Sequence, residues 1–185
     1  MKILGISGSL RRDSYNTKLL RAAEELLPPE VDFVLYQGVK EVPPYDEEDD
    51  VQPAPMAVAA LRSAIGEADA VLFATPEYNS SVPGSLKNAL DWVSRPVATN
   101  PLRNKPVVVV GASTGAFGAV WAQAELRKIL AAIGPRVVDA EVAVGHAPTR
   151  FDEAGRLEDE GLQDQLQETI EALLVETGVR ALVLS

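Results

Sequence analysis

The chain has 185 residues, with 17 Lys and Arg against 27 Asp and Glu, which gives a formal net charge of −10 at pH 7. This acidic balance argues against nucleic acid or an anionic membrane surface as a partner. The chain contains no cysteine, which excludes disulfides, thiolate catalysis and Cys-ligated metals, and we predict no metal site. It has no signal-like N-terminal segment and no apolar run of about 20 residues, so we expect a cytoplasmic protein without a membrane span.

Apolar runs of strand length alternate with segments of helical periodicity. Near-continuous Val, Ile and Leu runs predict strands covered on both faces, and alternation with helices predicts parallel pairing. The five predicted strands are 3–6, 31–36, 70–74, 107–110 and 137–144. We therefore predict an α/β fold, a three-layer α/β/α sandwich around a five-stranded parallel sheet. We expect residues 1–185 to form a single domain, in which 179–185 is an apolar C-terminal tail of unassigned role.

The segment 7–17 links the first predicted strand to the first predicted helix. It contains two arginines, one glycine and several hydroxyl side chains. The first N–H groups of a helix are unpaired and carry partial positive charge, while hydroxyls and guanidinium groups add further donors. A phosphate group is the natural ligand of such a loop.

Two further loops follow predicted strands, and ligands of open parallel sheets bind beyond the carboxyl ends of the strands. Prolines stiffen the loop 75–84, so its backbone can face a flat polar ring, with Tyr78 alongside. Glycines in 111–119 allow a ligand to approach the backbone closely. The acidic, proline-rich stretch 43–55 is interpreted as a solvated connector, with a lid over the site as the alternative.

These motifs resemble those of the NADPH-dependent FMN reductase family, a flavodoxin-like group that includes quinone, chromate and azo-dye reductases. The similarity covers roughly residues 2–145 and does not extend to the apolar tail. It rests on Gly8-Ser9-Leu10-Arg11 with Ser14 and Asn16-Thr17, on Pro76-Glu77-Tyr78-Asn79 with Pro83-Gly84 and 87–92, and on 115–118 with Gln123 and Leu126-Arg127.

The resemblance implies FMN and NAD(P)H as cofactors. It assigns the FMN phosphate to Ser9, Arg11, Ser14, Asn16 and Thr17. Contacts with the isoalloxazine and the ribityl chain would come from Pro76, Glu77, Tyr78 and Asn79, and the other ring edge would be lined by Ser113 and Gly115. Because a flavin carries its own redox chemistry, no catalytic side chain is expected, although the backbone of 77–79 could tune flavin N5. The family usually forms homodimers or homotetramers with FMN near the subunit interface.

The implied activity is hydride transfer from NAD(P)H to bound FMN, followed by reduction of a small-molecule acceptor in a ping-pong cycle. Quinones, free flavin, azo compounds and metal oxyanions are the expected acceptors. The alternative is a flavodoxin-type electron carrier without a nicotinamide site, whose acidic surface would suit a basic redox partner. A receiver-like regulatory domain would need acidic residues where Ser7-Gly8-Ser9 stands.

Four side-chain groups receive separate interpretations. Trp92 and Trp121 lie about 110° and 140° from the apolar stripes of their helices. Both are candidates for a subunit interface, with a position that caps the core edge or covers a loop as the alternative. Asp91 is expected to pair with Lys87 across one helical turn. His146 is interpreted as an ordinary loop residue. The sequence leaves the choice between NADPH and NADH undecided, although a 2′-phosphate could be contacted by Arg11, Arg12 or Arg95.

Overall fold

A computed structural model of the chain describes residues 1–178 and has parallel strands alternating with helices. The strands are β1 (Lys2–Ser7), β2 (Asp32–Tyr36), β3 (Ala70–Thr75), β4 (Pro106–Ala112), β5 (Arg136–Val137) and β6 (Ala143–Val144). The helices are α1 (Tyr15–Glu25), α2 (Met56–Glu67), α3 (Gly84–Val93), α4 (Val120–Ile133) and α5 (Glu160–Glu176). The sheet order is β2-β1-β3-β4-β5, with β6 also paired to β4, which confirms the predicted α/β class. The tail 179–185 lies outside the described residues.

Apolar side chains cover both faces of this sheet. Leu72 of β3 packs in a cluster with residues of α1 and α5, whereas its neighbour Phe73 packs on the other face with residues of α2, α3 and α4. Every residue of β3 and β4 is buried. This two-sided burial is why the central strands are almost continuously apolar in sequence. The predicted three layers are therefore present.

The fifth position in the sheet differs from the single strand predicted over 137–144. Two short strands occupy it: β5 pairs with the start of β4 and β6 with its end. Between them the Ala140 N–H donates to the Val138 carbonyl at 3.0 Å, which closes a three-residue turn. This turn takes the middle of the segment out of the ladder.

Trp92 does not lie at a subunit surface, and that prediction is wrong. The side chain is fully buried, and its indole N–H donates to the Pro43 carbonyl at 2.8 Å. The Tyr45 ring meets the indole edge-on, with centroids 5.0 Å apart. The connector 43–55 therefore covers a second side of α3, which the angle from the apolar stripe does not reveal.

The connector and α3 show two other expected features. Acidic residues 46–49 of the connector face solvent in part or fully, while Asp50 pairs with Arg62 of α2 at 3.0 Å. Lys87 pairs with Asp91 at 2.6 Å, as the spacing predicts.

No helix within residues 1–178 has the length and apolar character needed to cross a membrane. In the same range, no group of three or more potential metal ligands converges.

Candidate functional site

The site lies where the strand order reverses. The chain leaves β1 to form β2 on one side, and β3 then pairs with β1 on the other, so the loops after β1 and β3 emerge side by side. We call 8–14 the first loop, 76–83 the second loop and 113–119 the third loop. The Gly8 N–H donates to the Ala74 carbonyl at 2.8 Å, and a Cβ on Gly8 would lie 3.0 Å from Leu86 and 3.3 Å from Pro76. A side chain at residue 8 would therefore fit only if Leu86 and Pro76 moved by a few tenths of an ångström, so a glycine suits the place where the first and second loops meet.

The first loop presents a series of unpaired backbone donors. Ser14 caps α1, and its hydroxyl accepts from the Thr17 N–H at 3.4 Å. In the described part of the chain, the N–H groups of residues 10–13, 15 and 16 donate to no other protein group. These amides surround the N-terminus of an 11-residue helix, where partial positive charge accumulates. The arrangement is an anion cradle.

Charged side chains complete the first loop. Arg11 donates from Nη2 to the Asp13 carbonyl at 2.6 Å and lies over the Tyr15 ring, 5.7 Å from its centroid. Lys18 contacts the Asp13 carboxylate at 2.9 Å. The hydrogen bond and the charge of Lys18, with a smaller contribution from Arg11, lower the pKa of Asp13. The acidic residue of this loop thus stays ionised and compensated, while Arg11 supplies fixed positive charge.

The second loop contains a two-residue hairpin turn. The N–H and C=O of Tyr78 both bond with those of Ser81, at 3.0 and 3.1 Å. The central residues, Asn79 and Ser80, have φ values of 53° and 60°. Positive φ at both positions defines a type I′ turn. The loop is held in a defined shape by backbone bonds as well as by its prolines.

Two carboxylates join the second loop to α4. Glu77 accepts at Oε2 from the N–H groups of Trp121 and Ala122, both at 3.1 Å, and thereby caps a helix whose own N-cap residue offers no side-chain bond. In the other direction, Glu125 of α4 accepts from the Ser81 hydroxyl at 2.5 Å and from the Val82 N–H at 3.3 Å. We call this pair of interactions the carboxylate clamp. The sequence gives no local sign of it, because each carboxylate bonds to a residue more than 40 positions away.

A cleft of about 220 Å³ opens between the three loops. Its walls in residues 1–178 come from these loops and their flanks, and none of them comes from the connector 43–55. This placement agrees with a connector and not with a lid. The cleft is lined by Ser9, Arg11, Ser14, Tyr15, Asn16, Pro76, Glu77, Tyr78, Ala112, Ser113 and Thr114.

Most of the predicted site residues therefore meet in one place, and three lie beside it. Thr17 faces a neighbouring cavity, Asn79 stands in the hairpin turn, and the Gly115 carbonyl accepts from the His146 N–H at 2.8 Å. His146 belongs to the loop that follows β6, as interpreted. Tyr15, Ala112 and Thr114 also line the cleft and were not predicted as site residues, although the position of Tyr15 directly after the helix cap could have indicated it.

Asn16 is tied to β4. Its side chain is buried, donates to the Ala112 carbonyl and accepts from the Ala112 N–H, both at 2.9 Å. These two hydrogen bonds fix the start of α1 against β4, the strand that leads into the third loop. The backbone N–H of Asn16 donates to no other group among residues 1–178 and belongs to the unpaired donors at the start of α1.

A second cavity, of about 300 Å³, lies on the β2 side of the first loop. It shares Ser9 and Arg11 with the cleft, so the two spaces adjoin. No site residue was predicted after β2, although β2 is parallel to β1 and its carboxyl end lies at the same edge of the sheet. The walls are formed by Ser7, Ser9, Leu10, Arg11, Arg12, Thr17, Leu35, Tyr36, Gln37, Val39, Lys40 and Glu41.

The doubly wound sheet and the anion cradle at its switch point define a flavodoxin-like protein, and comparisons with known proteins specify the family. The family described as NADPH-dependent FMN reductase matches residues 1–149. An NAD(P)H-dependent FMN reductase of Pseudomonas aeruginosa is 42% identical over 174 residues, covering 94% of this chain and 93% of the relative. A quinone reductase of Pseudomonas putida is 39% identical over 155 residues, covering 83% of each.

A solved structure agrees. FerB, a flavoenzyme NAD(P)H:(acceptor) oxidoreductase from Paracoccus denitrificans, superposes with a TM-score of 0.84 at 33% identity, covering 96% of this chain and 97% of FerB. The chain belongs to the NADPH-dependent FMN reductase family. It is an NAD(P)H-dependent oxidoreductase with FMN as its cofactor, which confirms the family, enzyme class and cofactors expected from the motifs.

Proposed function

We propose that this enzyme holds FMN in the cleft between the three loops and uses NAD(P)H to reduce small-molecule acceptors. The acceptor classes are quinones, free flavin, azo compounds and metal oxyanions. The observation that carries the proposal is the run of unpaired N–H groups around the start of α1, beside the fixed charge of Arg11. This donor set fits a phosphate ester, because amides and a guanidinium bind a dianion without any proton transfer.

Each loop has a distinct role in this assignment. The first loop grips the phosphate with its amides and with the side chains of Ser9, Arg11 and Ser14, which line the cleft. Asn16 contributes its backbone N–H, and Thr17 is assigned to the phosphate from the side of the adjoining cavity. The second loop, 76–79, faces the ring and ribityl chain through its backbone, since the Glu77 carboxylate is committed to α4. Residues 113 and 115 line the other ring edge.

FMN, when bound, supplies the capacity to accept a hydride from a nicotinamide and to pass reducing equivalents to an acceptor. The chain's own residues bind the flavin and orient it toward the nicotinamide and the acceptor. Tyr78 is 51% exposed beside the cleft, which leaves one side of the site open to a flat molecule. A nicotinamide and an acceptor that use this one opening must alternate, and a ping-pong cycle follows. Parallel initial-rate lines against NADPH and a quinone support that cycle, whereas converging lines contradict it.

The deciding experiment is anaerobic mixing of the purified holoprotein with NADPH. Bleaching of the flavin absorbance on the timescale of turnover is expected. A flavodoxin-type carrier without a nicotinamide site would be reduced only when a partner reductase is added. FMN content tests the cradle separately: Arg11→Gln should bind FMN about 10-fold or more weakly, since a hydrogen bond to a charged group contributes about 1.5–3 kcal/mol. Riboflavin affinity should be nearly unaffected by that substitution.

We further propose that the enzyme is a homodimer or homotetramer whose contact includes Trp121 and Phe117. These rings are 50% and 63% exposed, and they meet edge-on with centroids 5.0 Å apart. Large exposed aromatics are enriched at protein interfaces. Size-exclusion chromatography at micromolar concentration should show a species well above the 19.8 kDa monomer, and Trp121→Ser should shift it toward monomer.

A further inference from the structure

We propose that the cavity beside β2 binds the 2′-phosphate end of NADPH and makes this enzyme prefer NADPH to NADH. The inference rests on the proposed function of the cleft and extends it to the adjoining cavity, where Arg12 and Lys40 add positive charge that the FMN assignment does not use. The walls of this cavity are predominantly basic. Arg11, Arg12 and Lys40 line the cavity, against one carboxylate, Glu41. On a protein of net charge −10, such a concentration of basic side chains around one cavity marks a place for an anion.

The donors in this cavity suit a phosphomonoester. Arg12 and Lys40 both belong to its walls and are exposed, so both can reach an incoming ligand. Tyr36 contributes a phenol, which is a neutral donor at physiological pH, and burial raises the pKa of Tyr36 further. A Cβ added to Gly38 would lie 2.6 Å from the Tyr36 oxygen, which shows how closely the turn 38–41 packs against that hydroxyl.

Position favours the dinucleotide over an unrelated anion. The cavity and the cleft share Ser9 and Arg11, so a ligand in one lies next to a ligand in the other. NAD(P)H is the reactant that must place one end in the cleft and carries further phosphates along its length. NADPH and NADH differ by a single phosphomonoester, and this is the group that a second cationic cavity would distinguish.

The third arginine considered from the sequence lies elsewhere. α3 starts at the carboxyl edge of the sheet, after the second loop, and runs back toward the opposite edge. Arg95 stands two residues beyond Val93, the last residue of α3, and lines neither cavity of its own chain. Arg12 and Lys40 are the residues to test, and the exposed Arg103, in the turn before β4 at that opposite edge, is a matched control.

The test uses holoprotein of the wild type, the double variant Arg12→Gln/Lys40→Gln, and Arg103→Gln. KM for NADPH and for NADH is measured with one quinone, and binding of adenosine 2′,5′-bisphosphate and of adenosine 5′-phosphate is measured by calorimetry. We expect the double variant to raise KM for NADPH at least 10-fold, to leave KM for NADH within about 2-fold, and to lose most of its affinity for the bisphosphate. Arg103→Gln should behave as wild type.

Tyr36→Phe provides a milder second variant and should raise KM for NADPH about 3-fold to 10-fold. Equal changes in the two KM values, or bisphosphate binding unchanged in the double variant, would overturn the inference. So would equal wild-type affinities for the bisphosphate and adenosine 5′-phosphate. Loss of FMN absorbance in the double variant would instead assign these residues to the FMN phosphate. A holoprotein that NADPH does not bleach would refute the proposed function, while the calorimetry would still report on the cavity.

Discussion

At the scale of single residues, the hairpin turn of the second loop sets the shape of one wall of the site. Asn79 and Ser80 both adopt positive φ, a region that L-residues other than Gly, Asn and Asp rarely occupy. Asn tolerates this conformation because its short polar side chain can bond locally. A β-branched side chain cannot, so the identity of residue 79 is a backbone requirement.

Asn79→Val should destabilise the protein by about 1–2 kcal/mol, the cost of the left-handed conformation for an ordinary residue. Asn79→Gly is the matched control and should change the free energy of unfolding by a few tenths of a kcal/mol, because Gly adopts positive φ without steric cost. Urea titration of both variants without flavin measures the difference. Equal midpoints for the two would show that the turn is not constrained at this residue.

Residue identity in the sequence predicts where a ligand group goes better than it predicts what each side chain does. Ser14 was expected at the FMN phosphate, and its hydroxyl also caps α1 by accepting from the Thr17 N–H. Asn16 and Glu77 were expected at the FMN, yet their side chains bond to backbone groups 96 and 44 or 45 positions away. Such bonds depend on how distant elements dock, and no local pattern encodes them.

At the scale of elements, the carboxylate clamp holds the second loop and α4 together by hydrogen bonds in both directions. Glu77 neutralises two orphan N–H groups at the positive end of a 14-residue helix. Glu125 of that helix accepts hydrogen bonds from the Ser81 hydroxyl and the Val82 N–H of the loop. The loop proposed to face the flavin ring is thus positioned by a helix that lies outside the cleft.

Glu77→Ala should lower the free energy of unfolding by about 1–2 kcal/mol, the usual cost of losing a helix cap, and weaken FMN binding. Glu77→Gln keeps an acceptor for the N–H groups and removes the charge, so its cost should be about 0.3–1 kcal/mol. Urea unfolding and quenching of flavin fluorescence measure the two effects. If Glu77→Ala reduces stability without affecting FMN affinity, the clamp supports α4 but does not position the loop.

Elements were predictable where burial on both faces governs the sequence, as in β3 and β4. The pattern of apolar residues did not predict the break at the edge of the sheet, where the turn at 138–140 divides the predicted fifth strand. It was insufficient again at Trp92, because a connector that packs on a helix leaves no periodic signal in that helix. The three site loops were predictable because each follows a buried parallel strand, a rule of topology that needs no side-chain detail.

At the scale of the whole molecule, a protein of net charge −10 must bind a phosphate dianion. Long-range repulsion is weak at physiological salt, since the Debye length is about 8 Å, so we expect the local donors of the first loop to decide the affinity. Acidification separates these two influences. It reduces the negative charge of the protein, which favours binding, and it also protonates the phosphate of FMN near pH ~6, which removes the charge that the cradle recognises.

We therefore expect the affinity for FMN to fall several-fold between pH 7 and pH 5, while weak riboflavin binding stays constant. Asp13 of the first loop stays ionised in this interval. Because the pKa of Asp13 is lowered from its ordinary 3.8, the stabilisation by its pair with Lys18 is complete above that value. It is lost only as the pH falls through the lower folded value. Asp13→Asn should leave the midpoint of the FMN profile unchanged. A riboflavin profile that follows the FMN profile, or a midpoint that moves in Asp13→Asn, would show that a protein group controls the pH response instead of the phosphate.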